Sequence, residues 1–383
     1  MPTHDPKLRA WVEINLAALE RNLRNIRAAL PPWIRYVAVV KADAYGHGSV
    51  HTVNRLMFAG ADAFAVANLH EAAEIRETGG GWPILVLSAI LPAETEDVLE
   101  YNVIPAVSTI EEVERLAETA AKHSRRITIH LKIDTGMGRL GVWHTQAAAL
   151  YQRIRECPTL SLGGVFTHFS SSDSDVDYTA HQRELFLKTI RTLPHLPLGD
   201  PHFLVHADNS AGLETLSQNG PFNAVRVGLL QFGVRPYAGS LLDKVEVSPV
   251  LSFHSRIGLI KELPAGTSIS YNRTHHLHRP SRIAVITAGY GDGIPTSVSN
   301  KARVLIRGQR CPILGRVTMD QTVVDVTDLP AAAVGDLVTL IGSQQHERID
   351  VREFSTCAGQ IPWEVFVSIS KRVQRRYLTD TAL

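Results

Sequence analysis

The stretch Tyr36-Val37-Ala38-Val39-Val40, followed at once by Lys41-Ala42-Asp43-Ala44-Tyr45-Gly46-His47-Gly48, decides the fold. Five apolar residues rich in β-branched side chains read as a short strand, and the polar, glycine-bearing segment behind it reads as a turn. Upstream, Leu16, Leu19, Leu23 and Ile26 recur at helical spacing behind the cap candidate Asn15. Seven more runs of the same kind follow at 63–67, 83–87, 103–107, 126–131, 164–168, 202–206 and 224–227. Between them lie helical patterns, such as Ile110, Val113, Leu116 and Ala117, or Leu185, Ile190 and Leu193. Eight strand–helix units in about 200 residues fit a parallel (β/α)8 barrel of the TIM type. A doubly wound open sheet is the competing arrangement, and the count favours the barrel.

The pattern changes near Val245. Leu251–Ile257, Ile283–Ile286 and Leu337–Ile341 are short strands between glycine turns, with little helix. The sequence therefore divides into a barrel over residues 1–246 and a mostly antiparallel β domain over 247–383. With 44% hydrophobic and 20% charged residues the chain is globular rather than disordered. Its formal charge of +1 gives no electrostatic case for a nucleic acid or an anionic membrane as partner. The basic cluster Lys371-Arg372 with Arg375-Arg376 reads as a solvated face. Cys157, Cys311 and Cys357 are too scattered for a zinc knuckle or a disulfide framework. No apolar run reaches the length of a membrane span and no signal peptide is visible, so the expected compartment is the cytoplasm.

In a barrel the reacting groups sit at the carboxyl ends of the strands. Lys41 directly follows the first run. A lysine there, against an apolar interior, is a candidate Schiff-base nucleophile, because loss of water lowers its pKa; by itself such a lysine more often snorkels to solvent. The fifth strand leads into Leu131-Lys132-Ile133-Asp134-Thr135-Gly136-Met137-Gly138-Arg139-Leu140-Gly141. This loop could aim the Arg139 guanidinium at a small carboxylate, or simply pair Arg139 with Asp134. The sixth strand ends at His168, the seventh runs into His206-Ala207-Asp208-Asn209-Ser210, and the eighth carries Arg226 before Gly228-Leu229. Taken singly, His168 and His206 read as core histidines. Ser210 could open a helix, and Gly228 would let backbone N–H groups reach an anion, where barrels commonly bind phosphate. A lysine, a phosphate site and an arginine in one barrel mouth are what a pyridoxal-phosphate enzyme requires. His275-His276-Leu277-His278 has no carboxylate to complete a ligand set and reads as a surface loop, so no metal is expected. Gly289-Tyr290-Gly291-Asp292-Gly293 lacks the spacing of a dinucleotide loop.

With these segments in hand, the sequence resembles the alanine racemase family of fold-type III pyridoxal-phosphate enzymes over nearly its whole length. The resemblance is carried, in order, by Lys41–Gly48, Leu131–Gly141, His206–Ser210, Ser270-Tyr271, Gly289–Gly293, Gly315–Gln321 and Ile361–Ser370. It implies a racemase that interconverts L- and D-alanine, supplying D-alanine for cell-wall peptidoglycan, and a homodimer with shared active sites. Lys41 would hold pyridoxal 5'-phosphate as a Schiff base and act as one acid/base; Tyr271 from the partner's β domain would be the other. The resemblance sets Arg226 at the ring nitrogen with His206 behind it, and His168 near the cofactor, supporting Tyr271. Tyr45, Asn209, Ser210, Gly228 and Leu229 join the cofactor set, with Trp363 where the family has a phosphate-contacting tyrosine. Arg139 and the Met319 backbone would bind the substrate carboxylate, with Tyr290 and Asp320 at the entrance. Lys132 matches a lysine that many members carbamylate to orient Arg139. Two bases on opposite faces of Cα suit a reversible proton exchange. A free tyrosine titrates near 10, so Tyr271 needs positive charge or hydrogen bonds to work near neutrality. The sequence departs from the family at Trp363, at Thr318 in place of a common cysteine, and at Asn272-Arg273 after Tyr271.

Three alternatives compete. One is a broader racemase of the same fold that accepts serine or basic amino acids. A diamino-acid decarboxylase would carry a glycine-run phosphate loop and a C-terminal catalytic cysteine, and neither is found. A non-catalytic cofactor carrier would be a barrel alone.

Overall fold

The structure is a computed structural model that describes residues 5–210, 220–235 and 245–379. The chain forms two compact units. One comprises Ala18–Ala44 and Ser49–Ser248; the other joins the residues up to Ala17 and Tyr45–Gly48 to those from Pro249 onward.

The strand β1 (Ala10–Asn15) belongs to the second unit. The first unit holds β2 (Arg35–Val39), β3 (Ala63–Val66), β4 (Ile84–Val86), β5 (Ile104–Val107), β6 (Ile127–Asp134), β7 (Val142–Trp143), β8 (Leu160–Phe166), β9 (Leu204–His206) and β10 (Ala224–Val227). All strands but β7 form one parallel ring in the order β2-β3-β4-β5-β6-β8-β9-β10. The ring closes where Ala224–Val227 pair with Arg35–Ala38. This is the expected (β/α)8 barrel, and each of its eight strands overlaps one of the eight apolar runs. Every residue of β3, β4 and β10 is buried, as a parallel sheet covered on both faces requires. Helices cover the outside. The best-marked runs from Ile110 to Lys122, where Thr109 caps the Glu112 amide and Glu112 returns a bond to the Thr109 amide.

Two strand ends differ from the sequence reading. β6 runs on to Asp134, so Lys132 lies inside the strand; β8 stops at Phe166, two residues before His168. The helix that Ser210 would open falls on residues 211–219, outside the described residues.

The second unit is built on β11 (Leu251–Leu263), with β12 (Ser268–Ile269), β13 (His275–His276), β14 (Ser281–Ile286), β15 (Arg303–Ile306), β16 (Gln309–Leu314), β17 (Thr322–Asp325), β18 (Leu337–Gln344), β19 (Glu347–Ile349) and β20 (Gln374–Leu378). Its main sheet has the order β19-β18-β15-β16-β17-β14-β11-β1-β20 and is antiparallel except where β20 runs parallel to β1. The long β11 serves three neighbours, pairing with β1, β14 and β18 along its length. Residues 10–15 therefore extend the β domain, whereas the sequence reading gave all of 1–246 to the barrel. Two helices, Val351–Ala358 and Pro362–Ser368, also went unread. His275 and His276 are not in a loop: they pair with Ile269 and Ser268. Among the described residues no helix is long and apolar enough to cross a membrane.

Candidate active site

Lys41 follows β2 at the end where the other barrel strands also present polar side chains. The chain leaves it in an unusual conformation. Ala42, Asp43, Ala44 and Tyr45 have φ of 54°, 53°, 51° and 55°, and Gly46 continues at 77°. Four successive non-glycine residues thus form a left-handed helical turn, at a cost of about 1–2 kcal/mol for each. The turn is pinned from both ends. The Ala44 amide donates to the Val40 carbonyl at 2.9 Å. The Asp43 carboxylate accepts from the Ser49 amide at 2.7 Å and from its hydroxyl at 2.9 Å. The Lys41 amine is pushed below its ordinary pKa, first by burial and then by the Arg139 guanidinium, while Glu71 pulls it back up.

Period-two alternation along β6 puts His130, Lys132 and Asp134 on one face. The Asp134 carboxylate gathers the following loop, accepting from the amides of Gly136 and Met137 at 2.9 Å and of Gly138 at 3.0 Å. It does not pair with Arg139, so the alternative of a simple Arg139–Asp134 ion pair does not hold. Gly141 closes the loop at φ 111°, and a Cβ there would meet the Asp134 amide nitrogen at 2.7 Å. Lys132, Asp134, Arg139, Thr167 and His168 line a common pocket. Lys132 Nζ stands 5.3 Å from the Phe166 ring centre. Burial, then Arg226 and Arg139, push the Lys132 amine down to about 7. Near neutral pH much of it is therefore the uncharged nucleophile.

Arg226, on β10, is buried and held by four hydrogen bonds from its two terminal nitrogens. It donates to His206 Nδ1 at 2.6 Å, to the carbonyls of Thr167 and Ala207 at 2.9 Å each, and to His168 Nδ1 at 3.1 Å. Burial lowers it to about 10, so it stays a cation at neutral pH. These bonds fix tautomers. His206 accepts at Nδ1, so its proton is on Nε2, which donates to His130 Nδ1 at 3.1 Å. His168 likewise accepts at Nδ1. Burial holds His130, His168 and His206 below the ordinary histidine range, reinforced in each by Arg226. The three rings are neutral, and the guanidinium is the charge they surround. Beside them the Ser210 hydroxyl accepts from the Gly228 amide at 2.9 Å, just before the short helical turn Leu229–Phe232. The Asn209 side-chain oxygen accepts from Ser172. Among the described residues no cluster of His, Cys, Asp or Glu could hold a metal ion.

Against this geometry, the family model described as "Alanine racemase, N-terminal domain" matches residues 14–236, and "Alanine racemase, C-terminal domain" matches 250–377. The chain belongs to the alanine racemase family. The alanine racemase of Halothermothrix orenii is 38% identical over 368 residues, 96% of each chain. The Bacillus anthracis alanine racemase crystallised with bound L-Ala-P superposes with a TM-score of 0.88 at 34% identity, covering 99% of this chain and 97% of that one. The Bartonella henselae alanine racemase with covalently bound pyridoxal phosphate gives 0.85 at 27% identity, covering 97% and 99%.

The remaining alanine racemase positions lie in the second unit. Tyr271 sits in a tight turn whose neighbours Ser270, Asn272 and Arg273 all have positive φ, and the residue is 67% exposed. The Asn272-Arg273 departure is thus accommodated by a strained turn rather than by glycine. Tyr290 and Met319 are also exposed. Arg372 ties these segments together, donating to Asp292 at 2.8 and 2.9 Å, to Asp320 at 2.9 Å and to the Met319 carbonyl at 3.2 Å. The basic cluster is a solvated face only in part: Lys371 and Arg372 are exposed, but Arg375 is half-buried and bonded to the carbonyls of Gly46, Ile369, Ser370 and Val373. Trp363 is half-buried on the helix Pro362–Ser368, and Tyr45 is buried in the same unit. His130 and Arg372 were missed in the sequence. The alternation His130-x-Lys132-x-Asp134 could have found the first; nothing local marks the second.

Proposed function

We propose that the chain interconverts L- and D-alanine with pyridoxal 5'-phosphate held on Lys41. The observation that carries this reading is a lysine of lowered pKa at a barrel strand end shared with the buried, histidine-bound Arg226. The donor set fits the cofactor. Ser210 and the Gly228 and Leu229 amides, with Asn209 and Tyr45, would hold its phosphate; Arg226 and His206 would meet its ring nitrogen, with His168 alongside. Trp363 would add only an indole N–H, where a tyrosine would offer a hydroxyl. When bound, pyridoxal phosphate supplies the electron-withdrawing ring that acidifies the Cα–H bond of an attached amino acid.

The chain's own groups do the rest. Arg139 would hold the substrate carboxylate with the Met319 backbone, and Tyr290 and Asp320 would restrict the entrance to a small side chain. Lys41 would take the proton from one face of Cα as the amine and return it as the ammonium, and the Tyr271 oxygen would serve the other face. The uncharged fraction of Lys132 present near neutrality would attack carbon dioxide, losing a proton; the carbamate so formed would carry a negative charge beside Arg139 and orient it. Arg226 remains a cation and keeps its protons at neutral pH. A guanidinium there would leave the cofactor's ring nitrogen unprotonated, which would limit electron withdrawal and disfavour transamination.

Exposure of Tyr271, Tyr290 and Met319 supports a homodimer in which the β unit of one copy completes the barrel site of the other. The three cysteines are free thiols, and Cys157 and Cys311 are buried, which suits work in a reducing cytoplasm. D-Alanine for cell-wall peptidoglycan is the role this activity would serve. The test is the spectrum of the purified protein with a D/L assay over several amino acids. A yellow protein active on alanine, whose colour borohydride removes by fixing a pyridoxyl group on Lys41, is the expected result. Attachment elsewhere, or turnover of serine or basic amino acids instead, would overturn the assignment.

A further inference from the structure

We propose that Glu71 is a positioning residue for Lys41, its carboxylate clamping the left-handed turn from which that lysine projects. One carboxylate oxygen accepts from the Ala42 amide and the other from the Ala67 amide, each at 2.7 Å. Ala42 is the first residue of the left-handed turn and the next in sequence after Lys41. Ala67 follows β3 and stands just before Asn68, which caps the helix Leu69–Thr78 by accepting from the Glu71 amide at 3.0 Å. Capping by Asn68 fixes where Glu71 begins, and the two carboxylate bonds fix where it ends.

The arrangement has a structural logic. The last backbone bond between the two strand ends runs from the Val40 N–H to the Ala65 carbonyl, at 2.9 Å. Beyond it the two chains diverge, one into the left-handed turn and the other into a right-handed helix. The amide that opens a helical turn has no carbonyl partner within that turn. Glu71 supplies that partner from the neighbouring strand end, so the ladder is prolonged past Lys41 by a side chain. Its negative charge also favours the protonated Lys41 amine, against burial and Arg139, which disfavour it. Glu71 thus acts on Lys41 in two ways, through the backbone direction and through charge, without touching substrate.

The inference rests on the reading of Lys41 as the reacting amine, but its tests read Lys41 and Ala42 directly in the full-length protein freed of cofactor. Glu71→Gln keeps the shape, loses the charge and presents an NH2 group to one of the two amides. We expect the Ala42 amide to exchange its hydrogen at least about tenfold faster, and the Lys41 amine to titrate at lower pH, followed by acetic anhydride labelling and peptide mass spectrometry. In the reconstituted enzyme kcat should fall about tenfold with KM changed less than about twofold. Glu71→Asp keeps the charge but is too short to span both amides. It should show the fast Ala42 exchange with a smaller change in the Lys41 titration, and it serves if the glutamine variant fails to fold. Variants that lower the melting temperature but leave both the Ala42 exchange and the Lys41 titration as in wild type would make Glu71 a helix cap and nothing more, and would overturn the proposal. A pyridoxyl group found on another lysine would instead overturn the reading of Lys41 and leave these two measurements standing.

Discussion

His130 shows how much of this site is held by groups that must stay uncharged. Its pKa falls to about 3 because the ring is buried and faces Arg226 through His206. An unfolded histidine takes up a proton near 6.5. Between those values the unfolded chain binds protons that the folded chain refuses, so folding stability must fall as pH drops below about 6.5. His168 and His206 shift the same way and add to the slope. Urea unfolding of wild type should therefore give a steep loss between pH 7 and pH 5. His130→Asn, which lacks the titrating ring, should be less stable than wild type at pH 7, with the gap narrowing as pH falls; a constant gap would show that His130 titrates in the fold as it does in the unfolded chain. Lys132 gives a second residue-scale prediction, of opposite experimental sign. With its amine at about 7, carbamate formation requires the deprotonated form, so a carbon-13 bicarbonate signal should grow as pH rises through 7. Lys132→Arg should abolish it, and survival of the signal would place the carbamate on another amine.

The elements were legible to different depths, for reasons that lie in the local chemistry. The eight barrel strands could be read because a parallel strand covered on both faces is an uninterrupted apolar run, and such runs recur here at regular intervals. β1 was not, because Trp11-Val12-Glu13-Ile14 directly precedes a helical pattern, and its partners lie more than 230 residues away in β11 and β20. The left-handed turn after Lys41 could not be read at all. Ala-Asp-Ala-Tyr has no glycine to announce positive φ; tertiary contacts impose the conformation. The site residues on strand ends were readable singly as candidates, and the resemblance joined them, but the contacts that order them were not. The Gly163-Gly164 pair in β8 is an example. A Cβ on Gly164 would stand 2.6 Å from the Leu204 carbonyl oxygen and 2.7 Å from the His130 ring. Both neighbours are fixed, one by the β8–β9 ladder and the other by His206. Gly164→Ala should therefore cost about 1–3 kcal/mol of stability and displace His130, which an altered histidine proton resonance would report. A variant as stable as wild type would mean that the barrel wall yields more readily than its ladder suggests.

At the scale of the whole molecule, the proposed activity depends on which chain would supply the second base. Lys41, Lys132, Arg139 and Arg226 belong to the barrel unit, whereas Tyr271, Tyr290, Met319 and Asp320 belong to the β unit. A fold has little reason to leave Tyr271 two-thirds exposed, with Met319 half exposed, unless another surface covers them. A second copy meets that need if its barrel receives this β unit, and two-fold symmetry then returns the favour, giving two identical sites in one dimer. The arrangement makes a quantitative prediction for mixed subunits. Lys41→Ala and Tyr271→Phe should each be inactive as pure proteins. After subunits exchange at equal concentration, half the dimers are mixed, and each mixed dimer has one site with both defects and one with none. Activity should return to about a quarter of wild type. If each site were built within one chain, no combination of these two subunits would contain an intact one, and activity would stay at zero however complete the exchange. Mass spectrometry of the intact dimers measures the exchange independently, so that silence in the assay is not mistaken for failure to mix. The same logic applies to dilution: an enzyme completed only by its partner loses activity in proportion to dissociated subunits, and recovers it when concentrated, without any change in folding of the single chain.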